Sequence, residues 1–108
     1  MYINGKEINT DKEGYLLDFN DWDEELAYAI AQQDDIVLTP SHFEIIYFLQ
    51  NFYFEYQTTP AMRMLTKLVK KKIGEEKGSS MYLFQLFPKG PAKQGCKIAG
   101  LPKPAKCL

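Results

Sequence analysis

The sequence predicts a mainly α-helical domain with a small β-hairpin element at its N-terminus and an irregular, mobile arm at its C-terminus. Three observations carry this. Apolar residues recur at spacings of three and four between Trp22 and Phe87, behind recognisable helix-start signals. Asn4-Gly5 sits between short β-prone pairs, a strong hairpin signal. From Pro88 onward the texture turns to proline, glycine and lysine with few large apolar side chains. With 108 residues, 45% of them hydrophobic and 14% aromatic, the chain suits one domain that folds without metal or disulfide staples. The expected division is a β-element over 1–18, a helical body over 19–98 and an arm over 99–108.

Each element has its own reason. Tyr2-Ile3 and residues 6–8 read as short strands, followed by a turn at Asp11 to Gly14. Asn20 or Asp21 can cap a helix running to about Gln33, with Asp23, Glu24 and Glu25 suited to the positive end of its dipole. Thr39-Pro40 starts the next helix, because proline is preorganised for the first helical position. From Ser41 to Tyr56 apolar side chains fall on most faces, which predicts a central, buried helix. Thr58-Thr59-Pro60 repeats the start signal for a helix over 60–73. Its Met62, Leu65, Leu68, Val69 and Ile73 face inward and Arg63, Lys67, Lys70 and Lys71 share one outward arc. A short helix over 80–87 ends at Pro88, and a further helical piece is expected over 91–98. From Ala99 the chain is expected to leave the body.

Charge is split along the chain. Residues 1–60 set Lys6 and Lys12 against twelve acidic residues, whereas residues 61–108 set eleven Lys/Arg against Glu75 and Glu76. Either the halves pair in the fold, or the basic half is a working face for an acidic protein or RNA. The start shows no signal-peptide pattern and no apolar run approaches membrane-spanning length, so a cytoplasmic protein with no membrane partner is expected. In a reducing compartment two cysteines are not a structural staple. No phosphate loop or metal-ligand cluster is present, and a lone histidine, His42, makes no triad, so no cofactor or metal is expected.

The chemistry gathers at the end of the sequence. Cys107 stands one residue from the last, on a segment where burial is not expected, and an exposed thiol is a liability unless its reactivity is used. Lys103 and Lys106 favour its thiolate and the chain-terminal carboxylate opposes it. Pro102 and Pro104 stiffen the arm, so that at roughly 3.1 Å per residue it would project on the order of 30 Å, with Gly100 as a hinge. Cys96 reads either as a redox or resolving partner, closing a reversible disulfide with Cys107, or as a small buried thiol. The helix pair 40–56 and 60–73 admits a helix-turn-helix reading, with Arg63, Lys67, Lys70 and Lys71 toward a nucleic acid. A solvated basic face is the preferred account.

The stretch Leu86-Phe-Pro-Lys-Gly-Pro-Ala-Lys-Gln, followed by Cys96-Lys-Ile-Ala-Gly-Leu-Pro-Lys-Pro and Cys107, resembles the TusE/DsrC family. The resemblance extends to Gly14-Tyr15-Leu16, Asp21-Trp22, Thr39-Pro40 and Pro60-Ala-Met-Arg-Met-Leu, and so covers nearly the whole chain. It implies a single, orthogonally packed helical bundle with a small N-terminal β-element and a mobile arm, and it assigns the sulfur-bearing role to Cys107. For TusE-type members it implies a persulfide-carrier sulfurtransferase. Such a carrier takes sulfur from an upstream TusBCD-like complex and delivers it to an MnmA-like tRNA 2-thiouridylase with its tRNA, for wobble-uridine thiolation. For DsrC-type members it implies partnership with dissimilatory sulfite reductase through both cysteines, here Cys96 and Cys107. The longer connection over Lys71 to Ser80 points to the TusE type. Contacts to partners or RNA are then expected from Arg63, Lys67, Lys70, Lys71, Lys103 and Lys106.

Overall fold

The computed structural model describes residues 2–3 and 5–104. Strands β1 (Tyr2–Ile3) and β2 (Lys6–Glu7) pair antiparallel, Tyr2 opposite Glu7 and Ile3 opposite Lys6. Gly5 takes φ +79 in the turn between them, as a tight hairpin requires. The expected turn at 11–14 is present. The Asp11 carboxylate accepts the Glu13 and Tyr15 amides at 2.8 and 2.9 Å, and Gly14 closes the turn with φ +89.

Five helices follow among the described residues: α1 (Glu24–Gln33), α2 (Pro40–Tyr56), α3 (Met62–Lys72), α4 (Ser80–Leu86) and α5 (Pro91–Ile98). The expected start of α1 at Asn20 or Asp21 is corrected by two successive aspartate caps. Asp18 accepts from the Asn20 amide and supports only a 3-10 turn over Phe19–Asp21, and Asp23 accepts from the Leu26 amide at 2.7 Å and opens the true helix. Helix α3 begins at Met62 rather than Pro60, which is buried ahead of it. At the start of α2 the Thr39 amide donates to His42 Nδ1 at 3.0 Å, a histidine version of the reciprocal cap that glutamate usually makes.

The centre of the molecule is not α2 but α5, which packs against α1, α2, α3 and α4. Helix α2 buries Ile45, Ile46 and Leu49 but leaves Tyr47, Phe54 and Tyr56 exposed, so its apolar face is narrower than its composition suggests. Helix α5 comes close to its neighbours because Ala92, Gly95 and Cys96, on its buried side, are small. A Cβ added at Gly95 would sit 2.9 Å from Leu49 Cδ1, and Ala92 and Cys96 are buried beside it. Close approach of this kind substitutes for bulk in filling a core.

Candidate functional site

The root of the C-terminal segment corrects the expected arm. After α5 the Leu101 amide donates to the Cys96 carbonyl at 2.9 Å and the Gly100 amide to the Lys97 carbonyl at 3.3 Å, with Gly100 at φ +76. This is a Schellman closure, and it ties residues 99–101 to the helix instead of releasing them. Gln50 Nε2 donates to the Ala99 carbonyl at 2.9 Å and Trp22 Nε1 to the Ile98 carbonyl at 2.9 Å. Ala99 and Leu101 are fully buried, and the Trp22 ring lies so close to Gly100 that an added Cβ would meet Cδ1 at 2.6 Å. Gly100 is therefore a wedge point, not a hinge. Lys103 Nζ pairs with the Glu13 carboxylate at 2.9 Å, and Pro104 is buried. Lys106 and Cys107 lie outside the described residues.

Cys96 sits on α5 with its side chain wholly buried. Burial pushes its thiol up to about 12, against a hydrogen bond with the Thr59 side chain that favours the thiolate. A thiol with that affinity for its proton is a poor nucleophile near neutrality. The redox or resolving reading of Cys96 thus meets a sealed, protonated sulfur in this conformation.

His42 is structural. Because the Leu86 carbonyl can only accept, Nε2 carries the proton and donates across 2.9 Å, while Nδ1 accepts from Thr39. The ring ties the start of α2 to the end of α4. Among the described residues no group of His, Cys, Asp and Glu side chains could hold a metal ion.

The basic residues do not form one cluster. Arg63, Lys67, Lys70 and Lys71 are exposed along α3, where the first three line an open groove of about 560 Å³ with Met62, Thr66 and Ser80. Lys103 belongs with Glu13, in another part of the fold. Sequence reasoning missed a third set, Lys89, Lys93 and Lys97, which lines a pocket with Glu13, Tyr15, Asp34 and Gln94. The spacing of Lys93 and Lys97, one helical turn apart, was the available signal. It also missed Trp22 and Gln50 as the residues that hold the arm's root.

The described geometry defines a small helical protein that seals one thiol in its core and clamps the chain a few residues before a second. The chain belongs to the DsrC-like protein family, whose model matches residues 2–108. A Haemophilus influenzae protein named sulfurtransferase TusE homolog is 59% identical over 108 residues, spanning 100% of this chain and 99% of its own length. Sulfurtransferase TusE of Escherichia coli K12 is 56% identical over 108 residues, with the same coverage. Among solved structures, Allochromatium vinosum DsrC superimposes with a TM-score of 0.90 at 53% identity, covering 100% of this chain and 96% of that one. The oxidized DsrC gamma-subunit of dissimilatory sulfite reductase from Archaeoglobus fulgidus gives 0.86 at 40%, covering 99% and 97%. The full-length identity to TusE sulfurtransferases places the chain on the TusE side of the family. No helix of the described residues is long and apolar enough to cross a membrane.

Proposed function

We infer that the protein is a cytoplasmic sulfur carrier that accepts sulfane sulfur on Cys107 and passes it on. The reading is carried by the full-length identity to TusE sulfurtransferases, combined with the burial of Cys96. A carrier needs a thiol that ionises and reaches a foreign active site, and Cys96 is suited to neither task. The same burial argues against a disulfide to Cys107 without rearrangement of α5, and so against the two-cysteine, sulfite-reductase reading.

The transfer is an exchange with no net redox change. The Cys107 thiolate attacks the outer sulfur of a donor persulfide. The new bond joins Cys107 Sγ to that sulfur, the donor's S–S bond breaks, and the electron pair leaves on the donor thiolate. Delivery repeats the step, with Cys107 as the leaving thiolate. The donor is an upstream TusBCD-like complex and the acceptor an MnmA-like tRNA 2-thiouridylase bound to its tRNA. Arg63, Lys67, Lys70, Lys71, Lys103 and Lys106 supply charge for those encounters.

Incubation with a persulfide donor followed by intact-mass spectrometry tests the assignment. The wild-type chain is expected to gain a sulfur atom that maps to the terminal peptide. Cys96→Ala should gain it as well, whereas Cys107→Ser should not. Sulfur loading of Cys107→Ser to the wild-type level would falsify the reading.

A further inference from the structure

Six aromatic rings run in a row across one side of the body. Tyr28 meets Phe43 at 5.3 Å between ring centroids, Phe43 meets Tyr47 at 6.1 Å, and Tyr47 meets Trp22 at 6.0 Å. Trp22 stacks on Phe19 at 6.0 Å, and Phe19 meets Phe54 edge-on at 5.0 Å. The row is shared by α1, α2 and the 3-10 turn over Phe19–Asp21 with its cap Trp22. Phe19, Trp22 and Phe43 are partly buried against the core, so the fold accounts for them. Tyr28, Tyr47 and Phe54 stay 48, 39 and 50% exposed, and core packing does not account for the area they leave open. A contiguous exposed apolar patch with a polar rim marks a contact surface, and aromatic anchors carry much of the binding energy at such surfaces.

The charge around the row selects what it meets. Between Lys12 and Arg63 the sequence holds ten acidic residues and no lysine or arginine. Four of the ten, Glu13, Asp21, Asp34 and Glu44, pair with cations from elsewhere in the chain. The carboxylates beside the rings do not. Asp18 and Asp23 bracket the stretch from Phe19 to Trp22, each spending one oxygen on a backbone amide, and Glu24 accepts from the Tyr47 hydroxyl. All three are exposed and, among the described residues, in no ion pair. Such a rim repels phosphate backbones and anionic headgroups. An arginine side chain, by contrast, pairs with carboxylates and stacks on aromatic faces. We propose that the Tyr28–Tyr47–Phe54 face is the docking surface for the sulfur donor, a protein that meets it with arginines around an apolar anchor. The proposal rests on the carrier reading. In that reading the acceptor brings tRNA, whose phosphates suit the α3 cations and not this rim, which leaves the acidic face to the donor. Trp22, in the middle of the row, also holds the Ile98 carbonyl, so docking here sets the donor beside the end of α5.

The chain has one tryptophan, so the 15N-labelled full-length protein has a single indole N–H resonance, and it lies in the row. Titration with an unlabelled, purified TusBCD complex should shift or broaden that resonance together with the amides of Tyr28, Tyr47 and Phe54. Tyr28→Ser with Phe54→Ser should weaken donor binding about tenfold or more. Asp18→Asn with Glu24→Gln keeps every ring and both acceptor oxygens, and so tests the rim without disturbing the packing. It should weaken binding about threefold and flatten its dependence on salt. Lys67→Gln with Lys71→Gln on α3 should cost the donor less than either face variant. A silent indole, donor affinity unmoved in the Asn/Gln variant, or an equal loss in the α3 variant would each overturn the proposal. Shifts of the same resonances on adding tRNA, or on concentrating the protein alone, would overturn it too, by giving the face to RNA or to a second copy. Sulfur loading of Cys107 separates this idea from the carrier reading. Loading from inorganic polysulfide, with transfer from the complex undiminished in both face variants, removes the face and keeps the carrier. Donor binding through the face with no loading from either source removes the carrier and keeps the face.

Discussion

Gly100 answers two demands with one missing side chain. Its φ of +76 is costly for any residue with a Cβ, and the Trp22 ring occupies the space that Cβ would fill. Gly5 has nearly the same dihedral, φ +79, with nothing within 4 Å of an added Cβ. The pair separates backbone strain from crowding. Gly5→Ala should cost about 1–2 kcal/mol, the left-handed penalty alone. Gly100→Ala should lose about 2–5 kcal/mol, because overpacking adds roughly 1–3 kcal/mol. Urea denaturation of the two variants checks this, and equal losses would mean that the indole contact carries no weight. A glycine between a helical piece and two prolines reads from sequence as a hinge. What turns it into a wedge is Trp22, distant along the chain, and local pattern holds no information about that contact. Cys96 shows the same limit from the other side, since its two readings were separable only by burial.

At the level of elements, helix α2 is anchored by a residue that titrates. His42 is held neutral because burial lowers its affinity for a proton, with the Leu86 carbonyl pulling weakly the other way. The unfolded chain has the ordinary value of 6.5 and the native state a lower one. Well above pH 6.5 both states are neutral here and the contribution to stability is complete. As pH falls through 6.5 the unfolded chain takes up a proton that the native state resists, so stability declines, and it levels off below the native value. The chain has a single histidine, so a decline between pH 7 and 5.5 is chiefly its own. Thermal unfolding should show it in the wild type. His42→Gln should flatten it, while losing about 1 kcal/mol at pH 7 from the weakened ties to Thr39 and Leu86. A slope unchanged in that variant would place the titration elsewhere. The starts of these helices were readable in outline, since Thr39-Pro40 and the early aspartates announce themselves by local chemistry. The ranking of the helices was not. Hydrophobic content favoured α2 as the centre, whereas α5 holds that position through Ala92, Gly95 and Cys96, whose value lies in how little room they take.

For the whole molecule, the lopsided distribution of charge left two accounts open, and both have a share. Lys77 with Glu44, Lys89 with Asp34 and Lys103 with Glu13 each join a cation of the later half to a carboxylate of the earlier one. The α3 cations Arg63, Lys67 and Lys71 form no such pair among the described residues and stay exposed. All three joining lysines are partly or largely exposed, in the range where ion pairs add little to stability and are screened by salt. The fold should therefore be indifferent to ionic strength, because its core of α5 against four helices does not depend on these pairs. Raising NaCl from about 20 mM to about 1 M, where the screening length falls to roughly 3 Å, should lower the free energy of unfolding by less than Gly100→Ala does. Association with an acidic or RNA-bearing partner should weaken steeply over the same range, because it relies on charges the fold leaves unspent. Urea unfolding and a binding titration at both salt concentrations make the comparison. A stability loss as large as the glycine variant's would show that the two halves are held together by charge after all.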